Sequence, residues 1–305
     1  MKSVGKRLSE FCEYHKNGDG ECNTVLLCEW ARRHELTLQE KYELAIFFSI
    51  TYCVESAIIL FEKHREAGRL EEASLLTLKP LLVFQSDRKY MAMKDSFQRT
   101  VRDFYETHPV AEAFLRKTTK SNGEISLERA IREIQSWVMY GRFAAFLFLE
   151  MFVALAGLPY ENTTIDWKNG NTATSGLLNL FGYDREAAYF DQKGTLIRSY
   201  EEMDKMLQTV VICVRETGGN ANVTQIETSL CAYRKLYKGS RYNGYYLDRM
   251  LEELVKYEKL YPELTAELYE LRGILFSHKY LGEKNKWNGI RPKMKKYYLN
   301  TGAIN

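Results

Sequence analysis

The sequence predicts an all-α, multi-helix globular fold with long buried central helices, and three observations carry that expectation. A hydroxyl residue followed three positions later by a carboxylate marks a helix start, and this capping box recurs at Thr37 with Glu40, Ser199 with Glu202 and Thr224 with Glu227. Apolar residues repeat at helical spacing, most cleanly at Leu247, Met250, Leu251 and Leu254. Strand-like alternation is scarce, and only five prolines interrupt 305 residues. With 45% hydrophobic content the chain can bury a sizeable core, which excludes a disordered polymer.

In chain order, the pattern gives a short N-terminal helix and then a long one from Leu38 to Ala67 that opens on the Thr37 box. Helices follow at Leu70–Phe84, Met91–Glu106 and His108–Lys117, and a second long one runs from Leu127 to Ala156. The runs Leu44–Phe61 and Trp137–Leu158 approach membrane-spanning length. Glu55 interrupts the first, and Arg142 and Glu150 the second, so both are expected to be core helices crossing at the centre, with no membrane partner. The polar stretch Thr118–Ser126 contains Asn122-Gly123 and is the expected boundary between a lobe of residues 1–117 and one of residues 127–305, unless the two form one continuous domain. Gly157–Ser175 reads as a long irregular loop before a short apolar helix starting near Gly176. The helix begun at Thr224 ends at Gly239, and Pro262 suits the first turn of another.

Several chemistries lack their residues. The six cysteines form no C-x-x-C pair and the five histidines no H-x-x-x-H spacing, so reduced thiols and a cytoplasmic location are expected, with no cofactor and nothing to support a divalent metal, which the pattern nonetheless leaves open. Neither a G-x-S-x-G elbow nor a G-x-G-x-x-G loop is present, which argues against Ser-His hydrolysis and dinucleotide redox chemistry. The segment Asp166–Gly182 places small hydroxyl residues before a helix and suits either an anion or plain N-capping by Thr174 or Ser175. Asp166 beside it is a candidate substrate contact.

A net charge of only +3 requires any nucleic-acid surface to come from local clustering, and Lys284, Lys286, Arg291, Lys293, Lys295 and Lys296 supply it without an intervening acid. Trp287, Tyr297 and Tyr298 add stacking surface to that run. Within the first apolar run, Tyr52, Glu55 and Ser56 share a face. Glu55 is either satisfied by a structural partner or held at a site with a raised pKa. Arg241, Tyr242 and Tyr245 surround Gly244 at the entry to the helix of Leu247–Leu254, which carries Asp248, Arg249 and Glu252 on the side expected to face away from the core.

The run RYNGYYLDRMLEEL from Arg241 to Leu254, with WNGIRPKMKKYY from Trp287 to Tyr298, resembles the bacteriophage amino acid:DNA transferases, also called α-glutamyl/putrescinyl thymine pyrophosphorylases. The segments Trp30–Ala57, Ser86–Tyr90 and Gly141–Glu150 add to the resemblance, which thus spans most of the chain. It implies a helical, DNA-glycosylase-like fold acting in the cytoplasm of an infected cell on double-stranded DNA that carries a modified thymine. In the implied reaction an amine, from an amino acid or a polyamine, replaces pyrophosphate on the C5 methylene of pyrophosphorylated 5-hydroxymethyluracil. On that basis Tyr52, Tyr242 and Tyr245 suit stacking on a flipped base, and Arg142, Arg241 and Arg249 suit a pyrophosphate clamp. Glu55 or Asp248 suits the base that takes the amine proton. Two rival readings use the same residues: a helical base-excision or base-reading protein in which Asp248 activates water, and a non-enzymatic adaptor whose buried carboxylates are purely structural.

Overall fold

A computed structural model describes residues 3–276 apart from 109, 161–164, 166, 168–169, 184–197 and 240. Among the described residues the chain is all α, as its periodicity predicts, with no β-structure beyond the isolated bridges Thr119–Ile125 and Ile125–Tyr160. The helices are α1 (Val4–Lys16), α2 (Cys22–Arg33), α3 (Leu38–Thr51), α4 (Val54–Ala67), α5 (Glu72–Leu78), α6 (Ser96–Thr107) and α7 (Ala111–Thr118). They continue with α8 (Leu127–Ile134), α9 (Arg142–Ala156), α10 (Asn171–Leu180), α11 (Tyr200–Glu216), α12 (Val223–Tyr237), α13 (Tyr245–Tyr257) and α14 (Pro262–Leu275). Short 3₁₀ turns occupy Lys79–Leu81 and Ser86–Ala92. None of these helices is long and apolar enough to cross a membrane.

The chain forms two compact units that are interleaved in sequence. One comprises Met1–Cys22, Asn162–Glu252 and Arg272–Asn305, and the other Asn23–Glu161 and Glu253–Leu271. The polar turn at Thr118–Ser126 lies inside the second of these, where Lys120 and Glu124 pair across Gly123 at φ 86°.

In the unit containing Asn23–Glu161, α3 is packed against α4 and α9. Every α3 residue from Leu44 to Thr51 is buried, so the helix has no solvent face along its last two turns. Rings of Tyr42, Phe114, Trp137, Phe148 and Phe152 meet mostly edge-on at 5–6 Å, the preferred aromatic geometry. Both long helices expected from the sequence are broken. The first divides at Tyr52, which adopts left-handed angles (φ 54°, ψ 33°) and separates α3 from α4. Thr51 stabilises the break, its hydroxyl donating to the carbonyls of Phe47 and Cys53. The second divides between Ile134 and Arg142, where Met139 is left-handed (φ 65°) and Gly141 precedes α9.

In the other unit, α1, α10, α11 and α12 surround an apolar core that includes Phe11, Leu177, Leu178, Met203, Leu207, Val210, Ile226 and Leu230. The tightest crossing, α10 on α12, depends on Gly176, because a Cβ there would lie 2.2 Å from the Leu230 carbonyl oxygen. Here the sequence expectation needs correction. The helix begins at Asn171 rather than near Gly176, so Thr174 and Ser175 are buried inside it rather than placed at its N-cap. The Thr37 and Ser199 capping boxes are closed as expected, but α12 is capped two residues earlier by Asn222, whose side chain accepts from the Thr224 and Gln225 amides.

Candidate active site

The α3–α4 junction gathers chemistry around a backbone that must reverse its helical sense at a non-glycine residue. Tyr52 is one of five described non-glycine residues with positive φ, a conformation that costs a side chain energy and is found often at functional sites. Its half-buried ring meets Phe48 and Phe143 edge-on, at 5.6 and 5.8 Å. Phe143 is 40% exposed, an unusual position for a phenylalanine, and Arg142 beside it lies over Phe146. Arg142 is thus half-buried in the first turn of α9, not within a wholly apolar helix as its sequence setting suggested.

Glu55 sits in the first turn of α4 and is 2% exposed. Its Oε2 accepts from the Cys53 thiol at 3.1 Å, while Oε1 is buried with no hydrogen-bond partner. Burial pushes its carboxyl up to about 7. Its own backbone amide, the Cys53 thiol and the Lys256 ammonium oppose the rise, and the Glu253 carboxylate adds to it. Glu253 is itself buried and pairs with Lys256 at 2.7 Å. Between the two alternatives left open by the sequence, no arginine neutralises Glu55 among the described residues, and its proton affinity is raised. Next to it, the Ser56 and Tyr257 hydroxyls lie 2.7 Å apart and both accept from the Val83 amide. From Val83 the chain runs along the junction: the Gln85 amide donates to the Thr51 carbonyl, and the Arg88 guanidinium reaches the Ile50 carbonyl.

The turn into α13, in the other unit, treats its carboxylates differently. Gly244 at φ 84° lets the chain enter the helix, and Asp19 caps the start of α13, accepting from the Tyr246 and Leu247 amides at 3.0 and 3.1 Å. Burial raises the Asp19 carboxyl to about 6, against the pull of the Leu247, Gly244 and Tyr246 amides. Asp248 is 1% exposed and accepts from the Tyr242 hydroxyl at 2.5 Å. This corrects the helix-face expectation: Leu247, Met250, Leu251 and Leu254 are buried as predicted, but Asp248 is buried with them. Tyr242 is buried too. Arg241 lies over the rings of Tyr245 and Tyr246, 4.4 and 4.6 Å from their centroids, and donates to the Tyr246 hydroxyl. Arg249, half-exposed, pairs with Glu252 at 2.7 Å.

The sequence-predicted site residues therefore fall into two groups: Tyr52, Glu55 and Arg142 in one unit, and Arg241, Tyr242, Tyr245, Asp248 and Arg249 in the other. Asp166 and the basic run Lys284, Lys286, Arg291, Lys293, Lys295 and Lys296 lie outside the described residues. Sequence reasoning missed Asp19, whose capping partners are more than 220 positions away. It missed Phe143 as well, and it left Arg88 as part of a motif without a role. Among the described residues no three His, Cys, Asp or Glu side chains converge as a metal site would require.

A family model described as "Amino acid:DNA transferase" matches residues 39–242. The match takes in Tyr52, Glu55, Arg88, Arg142, Arg241 and Tyr242 and ends before Asp248. No curated protein matches the chain.

Proposed function

The chain belongs to the amino acid:DNA transferase family, and we propose that it hypermodifies thymine by displacing pyrophosphate from pyrophosphorylated 5-hydroxymethyluracil in DNA with the amine of an amino acid. In this reaction the amine nitrogen forms a bond to the C5 methylene carbon. The carbon–oxygen bond to pyrophosphate breaks, and pyrophosphate departs with the electron pair. The nitrogen begins as an ammonium and must shed a proton to attack, so the site needs a base that holds a proton near neutral pH and releases it readily. Glu55 is that base in this reading. The supporting observation is its burial with a thiol as its one side-chain donor, the burial raising its carboxyl to about 7.

In the same unit, the exposed Phe143 ring, the Tyr52 ring set edge-on to it and the adjacent Arg142 offer a stacking and cationic surface for a base taken out of the helix. In the other unit, Arg241, Tyr245 and Arg249 keep a role in contacting DNA or pyrophosphate, while Asp248 fixes Tyr242 rather than taking the amine proton. Lys284, Lys286, Arg291, Lys293, Lys295 and Lys296 suit the DNA backbone.

The test is mass spectrometry of nucleosides after incubating the protein with pyrophosphorylated DNA and a panel of amino acids and polyamines. An aminated thymidine that forms with wild type and not with Glu55→Gln is the expected result. Abasic sites instead of a new nucleoside would assign the fold to base excision, and undiminished product from Glu55→Gln would remove Glu55 as the base.

A further inference from the structure

We propose that Arg88 anchors the carboxylate of the amino-acid co-substrate, an assignment that rests on the transfer reading above. Arg88 is 1% exposed. Its Nε donates to the Ile50 carbonyl at 3.4 Å, and its Nη1 donates to the Met139 carbonyl at 3.2 Å and to the Tyr90 hydroxyl. Its Nη2 is buried with no acceptor, and among the described residues no carboxylate lies within ion-pair distance, the groups acting on its charge being Tyr140 and Tyr90. The rings of Tyr90 and Tyr140 flank the guanidinium at 5.1 and 5.6 Å.

Such a group is expensive to keep. A guanidinium does not give up its proton, so burial without a counter-anion leaves a desolvated charge and an unmatched donor. The fold nonetheless accepts further strain around it. Three of the five described non-glycine residues with positive φ are Tyr52, Ser86 and Met139. Ser86 lies two positions before Arg88, Met139 supplies an acceptor carbonyl, and Tyr52 lies two positions after Ile50, which supplies the other. Strain concentrated on the segments that hold one side chain is a mark of a built site.

The ligand chemistry that completes it is an oxyanion, and a planar carboxylate matches the guanidinium fork. An amino acid carboxylate fits this position better than pyrophosphate because of what else the junction holds. The chain segment from Val83 to Arg88 lies along Ser56, Thr51 and Ile50, next to the buried carboxylates Glu55 and Glu253. Glu253 is already paired with Lys256, so the group open to a new partner is Glu55, whose ionisation a polyanion opposes and the ammonium end of a zwitterion favours while its other end meets Arg88.

The experiment uses the full chain and measures thermal stabilisation by each common amino acid singly. The best stabiliser is then compared with its decarboxylated amine and with inorganic pyrophosphate. Wild type is expected to bind the amine about ten- to a hundredfold more weakly than the amino acid, the weight of a charge-assisted hydrogen bond. Arg88→Lys should erase that preference, and in the transfer assay should raise KM for the amino acid while leaving KM for DNA unchanged. Equal binding of amino acid and amine by wild type overturns the assignment. So does stabilisation by pyrophosphate that Arg88→Lys abolishes, or the absence of stabilisation by every amino acid, which leaves only a buried water at Nη2. Should Arg88→Lys fail to fold, the wild-type comparison decides alone. Arg88-dependent amino-acid binding without any aminated nucleoside would uphold the anchor and overturn the transfer reading.

Discussion

The α3–α4 junction and the turn into α13 each bury carboxylates at a helix start among tyrosines, yet they supply those carboxylates with different donors. Asp19 receives two backbone amides and Asp248 receives a tyrosine hydroxyl at 2.5 Å. Glu55 receives a thiol, the weakest donor of the set, and the second oxygens of Glu55 and Asp19 are alike in having no hydrogen-bond partner. A buried carboxylate held by backbone amides fixes structure even where, as at Asp19, burial raises it to about 6, whereas one held by a thiol is freer to give up and regain its proton near neutral pH. The difference shifts the expected base from α13 to α4.

The sharpest way to break this comparison is Glu55→Gln. Transfer should fall by a factor of about a hundred to ten thousand, the usual loss for a general base. Its stability should also lose a pH dependence. The folded chain holds the Glu55 proton more tightly than the unfolded chain, since the value rises from 4.5 to about 7. The contribution is therefore intact below about pH 4.5 and is lost as pH climbs through about 7, by about 3 kcal/mol in wild type. Denaturant unfolding of wild type and variant from pH 4 to 8 should give a difference that grows in the variant's favour as pH rises. A constant difference would show that burial leaves the Glu55 carboxyl at its ordinary value.

The complementary change, Asp248→Asn, should lower stability by about 1–3 kcal/mol, because the short bond from Tyr242 loses its charged acceptor inside the core. Asp19→Ala should cost about 1–2 kcal/mol by uncapping α13. Any fall in transfer by either variant should follow the loss of folded protein, which circular dichroism at the assay temperature measures. If Asp248→Asn keeps its stability and loses transfer, the comparison is inverted and Asp248 becomes the base.

Much of the fold was legible because it follows from local rules. The hydroxyl–carboxylate spacing at Thr37 and Ser199 and the apolar stripe from Leu247 to Leu254 are properties of one helix at a time. The break at Tyr52 was not legible, because no glycine or proline marks it and only the surrounding packing makes the left-handed tyrosine tolerable. Asp248 was misplaced for a related reason. It follows Leu247 on a helix that is buried more widely than its leucine stripe, and a polar letter gives no sign of a buried tyrosine partner. The burial of Glu55 was readable from its apolar neighbours, but that the nearby Lys256 pairs with Glu253 rather than with Glu55 depends on residues far along the chain. The run Arg241–Leu254 that carries the resemblance lies mostly beyond residue 242, whereas the family match covers the α3–α4 junction.

A smaller effect concerns the exposed aromatic at the junction. Phe143→Ala removes a ring that is 40% exposed, so the melting temperature should change little, while loss of base stacking should weaken DNA binding by about tenfold. Fluorescence anisotropy with a labelled duplex measures it. Unaltered affinity would restrict the junction to the amine side of the reaction.

The smallest expected effect is on the α13 side, at Arg249. Its pair with Glu252 is one helical turn long, with both side chains about a third or more exposed, and such pairs contribute at most about 1 kcal/mol. Arg249→Lys keeps the charge and can keep the pair, so unfolding curves should nearly superimpose. The substitution does remove the planar fork that grips two phosphate oxygens at once. If Arg249 only decorates α13, transfer and DNA affinity should also match wild type. If it contacts pyrophosphorylated DNA, affinity for that DNA should fall severalfold while affinity for unmodified DNA, measured in the same buffer, stays the same. That selective loss would give the α13 turn a share in recognising the leaving group, and the contrast with the α3–α4 junction would then divide the labour of the reaction rather than separate function from structure.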